Sequence, residues 1–391
     1  MKKSTDKIRI LFVLDNLTIG GAQRLVLDLV NNLDAGRFQS GVCTLFSHPT
    51  TDSEPFVATL RDAGIPLERF GLTSWRDLKT LRRFSRLVKE WNVDVIHGHQ
   101  IPADFWGCFM GKVLLGKKTV YTRHNSYPVN ELAGRRHMLL LNRFAADRIV
   151  VISQAIKNYA EEVTGAPAKK LKVILNGVDV DRFNPGISGE ALRRELGIGP
   201  EDIVIGNISR FEPRKGYDVF MCVAAGLAQR FPHVRFLACG HGPLRDELIR
   251  TATDLALGEK LILRLPSLSV EQCLAAMDIF LFPTYWGEGL PLSVCEAMAC
   301  AKPIVASNIG SNNELVIDGQ NGFLPEPAGW RMETETLSAE PFISKISELV
   351  VNSQLRRRMG NAGRSRVLAF FNLRTMVRQH EQLYEELMQV R

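Results

Sequence analysis

Cysteine is scarce and carries no pattern. The seven residues Cys43, Cys108, Cys222, Cys239, Cys273, Cys295 and Cys300 contain no Cys-x-x-Cys pair, their number is odd, and most lie in apolar runs. This argues against a disulfide framework and leaves reduced, buried thiols in a cytoplasmic protein as the expectation. No Cys or His pair has zinc-ligand spacing, so no metal site is expected. Long apolar runs are missing too: no window approaches the ~18 residues that a membrane-spanning helix needs. The stretch Ile8–Leu14 contains Arg9, stops at Asp15 and has no small-residue cleavage site, so it reads as a first strand and not as a secretion signal. The dinucleotide fingerprint Gly-x-Gly-x-x-Gly is absent. Gly240-x-Gly242 follows a strand candidate, but Arg245 holds the third glycine position, which argues against a nicotinamide dehydrogenase. A Gly-x-x-x-x-Gly-Lys-Ser/Thr phosphate loop is also lacking. The net charge is only +7, and no nucleic-acid motif accompanies it, so no nucleic-acid partner is expected.

What is present is a chain of 391 residues, too long for one hydrophobic core, so two domains are expected. The charge is unevenly placed. Met1–Gly189 holds 27 Lys+Arg against 18 Asp+Glu, and the remainder holds 22 against 24. Short apolar runs alternate with helical patterns. Strands are expected at Ile8–Leu14, Gln39–Leu45, Val93–His97, Lys118–Thr122, Arg148–Ile152 and Val173–Leu175. They resume at Ile203–Ile208, Val234–Cys239, Leu261–Leu263, Ile279–Pro283 and Pro303–Ala306. Helices are expected at Gly21–Leu33, Trp75–Trp91, Tyr217–Arg230, Leu244–Leu257 and Asn372–Arg391. Such alternation indicates an α/β fold with parallel sheets covered by helices on both faces. Turn residues cluster from Asn176 to Gly186, which places the domains at 1–184 and 185–371 with a final helix at 372–391. Pro325–Pro341 reads as an exposed insertion.

Three segments carry chemistry. Gly20-Gly21 separates the first strand from an amphipathic helix, where bare backbone N–H groups and a helix N-terminus suit an anion, as they also suit a simple turn. Ser209-Arg210-Phe211-Glu212-Pro213-Arg214-Lys215-Gly216 puts three cations after the first strand of the second half, at the strand end where open parallel sheets bind ligands. They fit a diphosphate or a solvated loop. The third segment is Gly287-Glu288-Gly289-Leu290-Pro291-Leu292-Ser293-Val294-Cys295-Glu296-Ala297-Met298-Ala299. Glu288 is expected in the loop and Glu296 about two turns into the helix, with N–H groups of Leu290, Leu292 and Ser293 near the helix start. A carboxylate in so apolar a helix needs a partner, which ribose hydroxyls would supply.

With these pieces in order, the chain resembles a GT-B-fold glycosyltransferase of family four, the large group of retaining, nucleotide-sugar-dependent enzymes. The resemblance rests on Gly20-Gly21-Ala22, Ile96-His97-Gly98-His99, Ile174-Leu175-Asn176-Gly177-Val178-Asp179, Ser209-Arg210 with Lys215-Gly216, Gly240-His241-Gly242-Pro243-Leu244 and the Glu-x7-Glu segment. It implies two Rossmann-like doubly wound domains facing a cleft, the first for the acceptor and the second for the donor, with the C-terminal helix returning to the first. It further implies that Glu288 contacts the donor sugar, that Glu296 binds the nucleotide ribose, and that Arg210 and Lys215 hold the diphosphate. Gly20 and Gly21 would close over the phosphates, with Gly289, Leu290, Leu292 and Ser293 lining the donor site. His99 would approach the sugar, His97 would be a packed core histidine, and His124 would face the acceptor. Two departures stand out. Ala301 replaces a glycine common in relatives, and Gly310-Ser311-Asn312-Asn313-Glu314 replaces a more usual Gly-Gly-x-x-Glu.

The implied activity is retaining transfer of a hexosyl unit from a nucleoside diphosphate sugar to a glycan or lipid-linked acceptor, in bacterial envelope or exopolysaccharide (lipopolysaccharide-type) assembly. No metal and no other cofactor is expected, and Asp179-x-Asp181 reads as turn chemistry. A nucleotide-sugar epimerase and a non-catalytic sugar-nucleotide-binding protein remain the alternatives. Trp75–Trp91 sets Leu78, Leu81, Phe84, Leu87, Val88 and Trp91 on one helical side and Arg76, Lys79, Arg82, Arg83, Arg86 and Lys89 on the other. That is a surface helix, or one that also meets an anionic membrane, making the protein peripheral on the inner face of the plasma membrane.

Overall fold

The computed structural model describes residues 7–46, 53–72, 78–126, 132–265, 269–326 and 338–389. The chain forms two compact units. Met1–Asn176 and Leu373–Arg391 make the first, and Gly177–Asn372 the second. The boundary expected at 184/185 therefore falls inside the second unit. The reason is local. Asp179 Oδ1 accepts the N–H groups of Asp181 and Arg182 at 3.0 Å each. Arg364 then donates to the carbonyls of Phe183 (2.6 Å) and Val180 (3.0 Å), so the turn residues are fastened to the second unit and do not form a loose linker.

The first unit is built on strands β1 (Ile8–Leu14), β2 (Phe38–Thr44), β3 (Leu67–Arg69), β4 (Val95–His99), β5 (Lys118–Arg123), β6 (Arg148–Val151) and β7 (Leu171–Val173). They are parallel and ordered β3-β2-β1-β4-β5-β6-β7. The period-two alternation of β1 divides its side chains between two cores. Ile10, Phe12 and Leu14 pack with Leu373, Met376, Val377, Leu383, Tyr384 and Leu387 of the C-terminal helix Leu373–Gln389. Leu11 and Val13 pack with Phe84, Leu87 and Val88 of the helix Leu78–Glu90. Both faces are buried, which is why the strand reads as an unbroken apolar run.

The second unit carries β8 (Ile203–Ile208), β9 (Val234–Cys239), β10 (Leu261–Arg264), β11 (Ile279–Phe282), β12 (Ile304–Ala306) and β13 (Gly322–Phe323), parallel and ordered β10-β9-β8-β11-β12-β13. The helices Tyr217–Arg230 and Glu340–Val351 cover one face with Phe220, Leu227, Phe342 and Ile346.

Four expectations are corrected, the first being the strand expected at Val173–Leu175, which runs Leu171–Val173. The edge strands β3 and β13 are too short to show a period in sequence. Strand β4 begins at Val95, not at Val93, because Val93 N–H still bonds Val88 O at 3.0 Å as the preceding helix unwinds through Asn92, whose φ is +48°. His97 and His99 are thus both strand residues. The helix expected over Leu244–Leu257 spans Arg245–Asp254. Trp75 and Arg76 lie outside the described residues, as does 327–337 of the Pro325–Pro341 stretch, and Trp91 sits in the turn after its helix. None of the seven cysteines is in a disulfide; six are buried and Cys222 is exposed. Ala301 sits at φ +54°, a left-handed position that costs a residue with a Cβ about 1 kcal/mol and that glycine takes without strain. Among the described residues, no helix is long and apolar enough to cross a membrane.

Candidate active site

In the second unit the strand order reverses between β8 and β11, and ligands of open parallel sheets bind outside the carboxyl ends of the strands at such a switch. Both chemistry-bearing loops leave from there. After β8, Pro213–Lys215 form a 3₁₀ turn that ends at Gly216, with φ +68°. A Cβ on Gly216 would lie 1.8 Å from Pro283 O, so only glycine lets this turn press against the exit of β11. Tyr285 N–H donates to Arg214 O at 2.8 Å and completes the seam.

The seam brings Lys215 Nζ to 2.7 Å and Arg214 Nη1 to 2.9 Å from one oxygen, Oε1 of Glu288. The Thr284 hydroxyl lies 3.1 Å from the same oxygen and 2.9 Å from Arg214 O. Glu288 is 7% exposed and Lys215 is 9% exposed. Burial alone would raise the Glu288 pKa, but the adjoining Lys215 and Arg214 outweigh it and hold the carboxyl below its usual range. Burial lowers the Lys215 pKa, with Glu288 opposing. Lys215 Nζ also stands 5.1 Å from the Phe282 ring centroid. The result is an ionised carboxylate fixed by two cations beyond the carboxyl ends of the central strands β8 and β11.

Arg210 is placed otherwise. Its guanidinium pairs with Glu212 at 2.9 Å and its side chain is 52% exposed. Arg214, which also reaches Glu212 at 3.2 Å, is the second cation on Glu288. The sequence shows three cations in this loop but does not show which two the 3₁₀ turn will aim together, and nothing in it marks Thr284. Gly240 and Gly242 lie against the Ser209–Phe211 backbone. The helix Leu292–Ala299 begins after Pro291 with no side-chain cap. Glu296 is little more than one turn into it, short of the expected two. Leu292, Ser293 and Glu296 occupy its half-buried side, while Gly289 and Leu290 are buried in the preceding loop. Gly310 and Ser311 abut the Glu288 carbonyl, which a Cβ on Gly310 would approach to 3.3 Å.

In the first unit the switch lies between β1 and β4. Gly20, in extended backbone, precedes the helix Gly21–Asn32, which begins without a side-chain cap. A Cβ on Gly20 would lie 2.6 Å from Oε1 of the buried Gln23. His99 ends β4, is wholly buried, and has Nδ1 3.0 Å from His124 Nε2. His97 is also wholly buried, with Nδ1 2.7 Å from the Tyr384 hydroxyl and Nε2 2.8 Å from the Thr122 hydroxyl. Burial pushes the Asp15 carboxyl, beyond β1, up to about 6, against the Ala103 N–H that donates to it at 3.0 Å.

Burial also lowers His97, His99 and His380, the last to about 4. These imidazoles are neutral in the folded chain and bind protons more readily once it unfolds. Their contribution is therefore complete above about pH 6.5 and is lost as pH falls toward the folded values. For His380, about 2.5 pH units correspond to roughly 3 kcal/mol. His380→Leu is expected to lose less thermal stability than the parent between pH 7 and pH 4.5. Parallel Tm–pH curves for the two proteins would contradict this.

Two parallel-sheet α/β units, each with its loops gathered at a switch point, define the GT-B class of two Rossmann-like domains. Comparison with known proteins supplies the family. A family model described as Glycosyltransferase Family 4 matches residues 19–182, and one described as Glycosyl transferases group 1 matches 188–366. The chain belongs to the group 1, family-four glycosyltransferases and is a hexosyltransferase. It is 27% identical to the UDP-Gal:alpha-D-GlcNAc-diphosphoundecaprenol alpha-1,3-galactosyltransferase of Escherichia coli, over 83% of this chain and 86% of that one. It is 28% identical to the GDP-mannose-dependent alpha-(1-6)-phosphatidylinositol monomannoside mannosyltransferase of Mycolicibacterium smegmatis, over 59% of this chain and 60% of that one. Among solved structures, Anabaena HepE in complex with UDP superposes with a TM-score of 0.81 at 25% identity, covering 97% of this chain and all of that one.

Proposed function

We propose that the chain moves a hexosyl unit from a UDP-sugar to a hydroxyl of a lipid-linked glycan, with retention of anomeric configuration, in envelope or exopolysaccharide assembly. The observation that carries this reading is the buried Lys215–Glu288–Arg214 cluster at the switch of the second unit. Its ionised carboxylate suits sugar hydroxyls, and its cations suit the charge that develops on a departing diphosphate. The names of the Escherichia coli relative and the HepE complex favour UDP as the carrier and a diphospholipid-linked sugar as the acceptor. Glu296, on the half-buried side of its helix with Ser293, is assigned to the nucleotide ribose, and His99 to the donor sugar.

In this mechanism Lys215 and Arg214, with Arg210 at the rim and the N–H groups that open the Leu292–Ala299 helix, stabilise the leaving diphosphate. Glu288 is held as a carboxylate and orients the sugar, leaving no proton there for the leaving group. The departing phosphate oxygen takes the acceptor proton on the same face, which retains the configuration. Cations in place of a carboxylate set meet the diphosphate, so the reaction is assigned no metal. A panel of nucleotide sugars read by thermal shift should single out a UDP-hexose. UDP release should then require an undecaprenyl-diphosphate-linked sugar, persist in EDTA and yield an axial-for-axial product. UDP release that ignores the acceptor would point to hydrolysis, a scrambled sugar without release would point to epimerisation, and an inverted product would overturn retention.

The membrane reading is proposed for the helix Leu78–Glu90. It buries Phe84, Leu87 and Val88 and exposes Lys79, Arg82, Arg86 and Lys89. Beside it runs a groove of about 470 Å³, whose walls include Arg82, Arg86, Lys89 and Leu114. Leu114 is 54% exposed. Cations rimming an apolar tip fit anionic headgroups, at about 1 kcal/mol per basic residue near the surface. Co-sedimentation with phosphatidylglycerol vesicles should fall about tenfold or more in an Arg82→Glu/Arg86→Glu variant. Equal binding of the two proteins would remove this surface from consideration.

A further inference from the structure

A cavity of about 360 Å³ opens at the amino ends of β1 and β2, with its walls wholly in the first unit. The length of β1 puts about 20 Å between it and the loops that leave the carboxyl ends of the sheet. The pleat and one turn build it. Period two places Arg9 on the face of Leu11, and the parallel register Arg9↔Gln39 and Leu11↔Gly41 sets Gln39 and the bare Gly41 beside them. The helix Leu78–Glu90 then ends. Trp91 N–H still bonds Leu87 O at 2.9 Å, and Asn92 turns the chain at φ +48°, a conformation that asparagine takes more readily than most residues. The turn lays the Trp91 ring on Gly41, where a Cβ would lie 2.3 Å from Cζ3 and 2.7 Å from Cε3. The Trp91 ring, Arg9, Gln39, Glu90 and Asn92 line the cavity. Trp91 and Arg9 are half-buried, and the other three are exposed. Among the described residues, none of these five side chains has a hydrogen-bond or ion-pair partner.

This set of side chains suits one class of ligand. The guanidinium only donates, the carboxylate only accepts, and the two amides do both. One positive and one negative group face the same space, so a phosphate drawn to Arg9 would also meet Glu90. A polyol meets no such conflict, since a hydroxyl accepts from the guanidinium and donates to the carboxylate. The indole adds an apolar wall and a single N–H donor. A pyranose ring has both features, a rim of hydroxyls and a face of C–H groups. The volume falls within the roughly 300–1,000 Å³ of small-molecule sites. We propose that this cavity is a non-catalytic sugar site, which holds a hexopyranose unit of a glycan with its C–H face on Trp91 and its hydroxyls on Arg9, Glu90 and Gln39. The site goes beyond the transferase reading and does not rest on it.

The test uses the full chain labelled with ¹⁵N-tryptophan, the Trp91 indole signal being assigned from a Trp91→Phe variant. The probes are methyl α-D-glucopyranoside, methyl α-D-galactopyranoside and lactose, with inorganic phosphate as the competing class. At least one of the sugars should move the Trp91 signal saturably, and phosphate should not. Arg9→Ala and Glu90→Ala should each weaken that response about tenfold or more, since each removes a charged partner of a hydroxyl. Glu90 is exposed at a helix end, so Glu90→Ala keeps its fold and decides alone if Arg9→Ala does not. A Trp91 signal indifferent to all three sugars, or moved by phosphate and not by sugar, overturns the proposal. A sugar response that survives Glu90→Ala undiminished does the same. The signals are read without turnover, so a chain that transferred no hexose would overturn the transferase reading and leave this result standing.

Discussion

A chain ending at Asn372 is expected to be insoluble or unfolded in its first unit. The helix it loses, Leu373–Gln389, supplies Leu373, Met376, Val377, Leu383, Tyr384 and Leu387 to the core that also holds Ile10, Phe12 and Leu14. At about 1.5–3 kcal/mol for each buried apolar side chain, six such residues match the roughly 5–15 kcal/mol net stability of a whole domain. Polar losses add to this. His97 Nδ1 loses the Tyr384 hydroxyl at 2.7 Å, and Arg37 loses Glu381 and Glu385, at 2.6 and 2.7 Å. Asp34 N–H loses Glu381 Oε1 at 2.8 Å. The soluble fraction after expression and dye binding to exposed apolar surface are the measurements. A soluble truncated chain with an unchanged Tm would show that the first sheet does not depend on this helix.

That helix was legible in sequence because its apolar spacing is regular. β1, β8 and β9 were legible because strands buried on both faces show as continuous apolar runs. Limits appear where a residue's role depends on something beyond its own segment. Val93 is apolar and follows a helix, so composition assigns it to β4, yet a hydrogen bond to Val88 O keeps it in the turn and shifts the strand two residues toward His99. The common face of His97 and His99 follows from strand period alone. Their partners Thr122 and His124 follow only from the register between strands 25 residues apart, which no single segment encodes. Ala301 shows the same limit at a single residue. The sequence shows a methyl in place of a glycine, and only the turn shows that the methyl sits at positive φ. At the site itself, Glu288 was named by its motif, whereas Arg214 became its partner through the 3₁₀ turn that Pro213 opens and Gly216 closes.

That arrangement fixes what the loss of one cation should do. Lys215→Ala is expected to lower turnover about 10²–10³-fold while the protein stays folded. The rate effect follows from preorganisation. Lys215 is held 2.7 Å from Glu288 in a buried turn that costs no reorganisation when charge develops on the diphosphate, and removing one such group elsewhere costs factors of this size. Stability should change less, because Glu288 is not stranded. Arg214 remains 2.9 Å from the same oxygen and the Thr284 hydroxyl 3.1 Å from it. The loss should therefore stay below the ~3–5 kcal/mol of a broken buried pair. Glu288→Ala behaves differently, since it leaves Lys215 and Arg214 facing each other without their carboxylate and should lower Tm as well as turnover. Arg210→Ala should be the mildest of the three, because Arg210 is half exposed and bound to Glu212. Steady-state kcat and Tm across this series test the order directly. Near-normal turnover in Lys215→Ala, or an Arg210→Ala defect that exceeds it, would move the diphosphate away from the buried cluster and toward the exposed end of the loop.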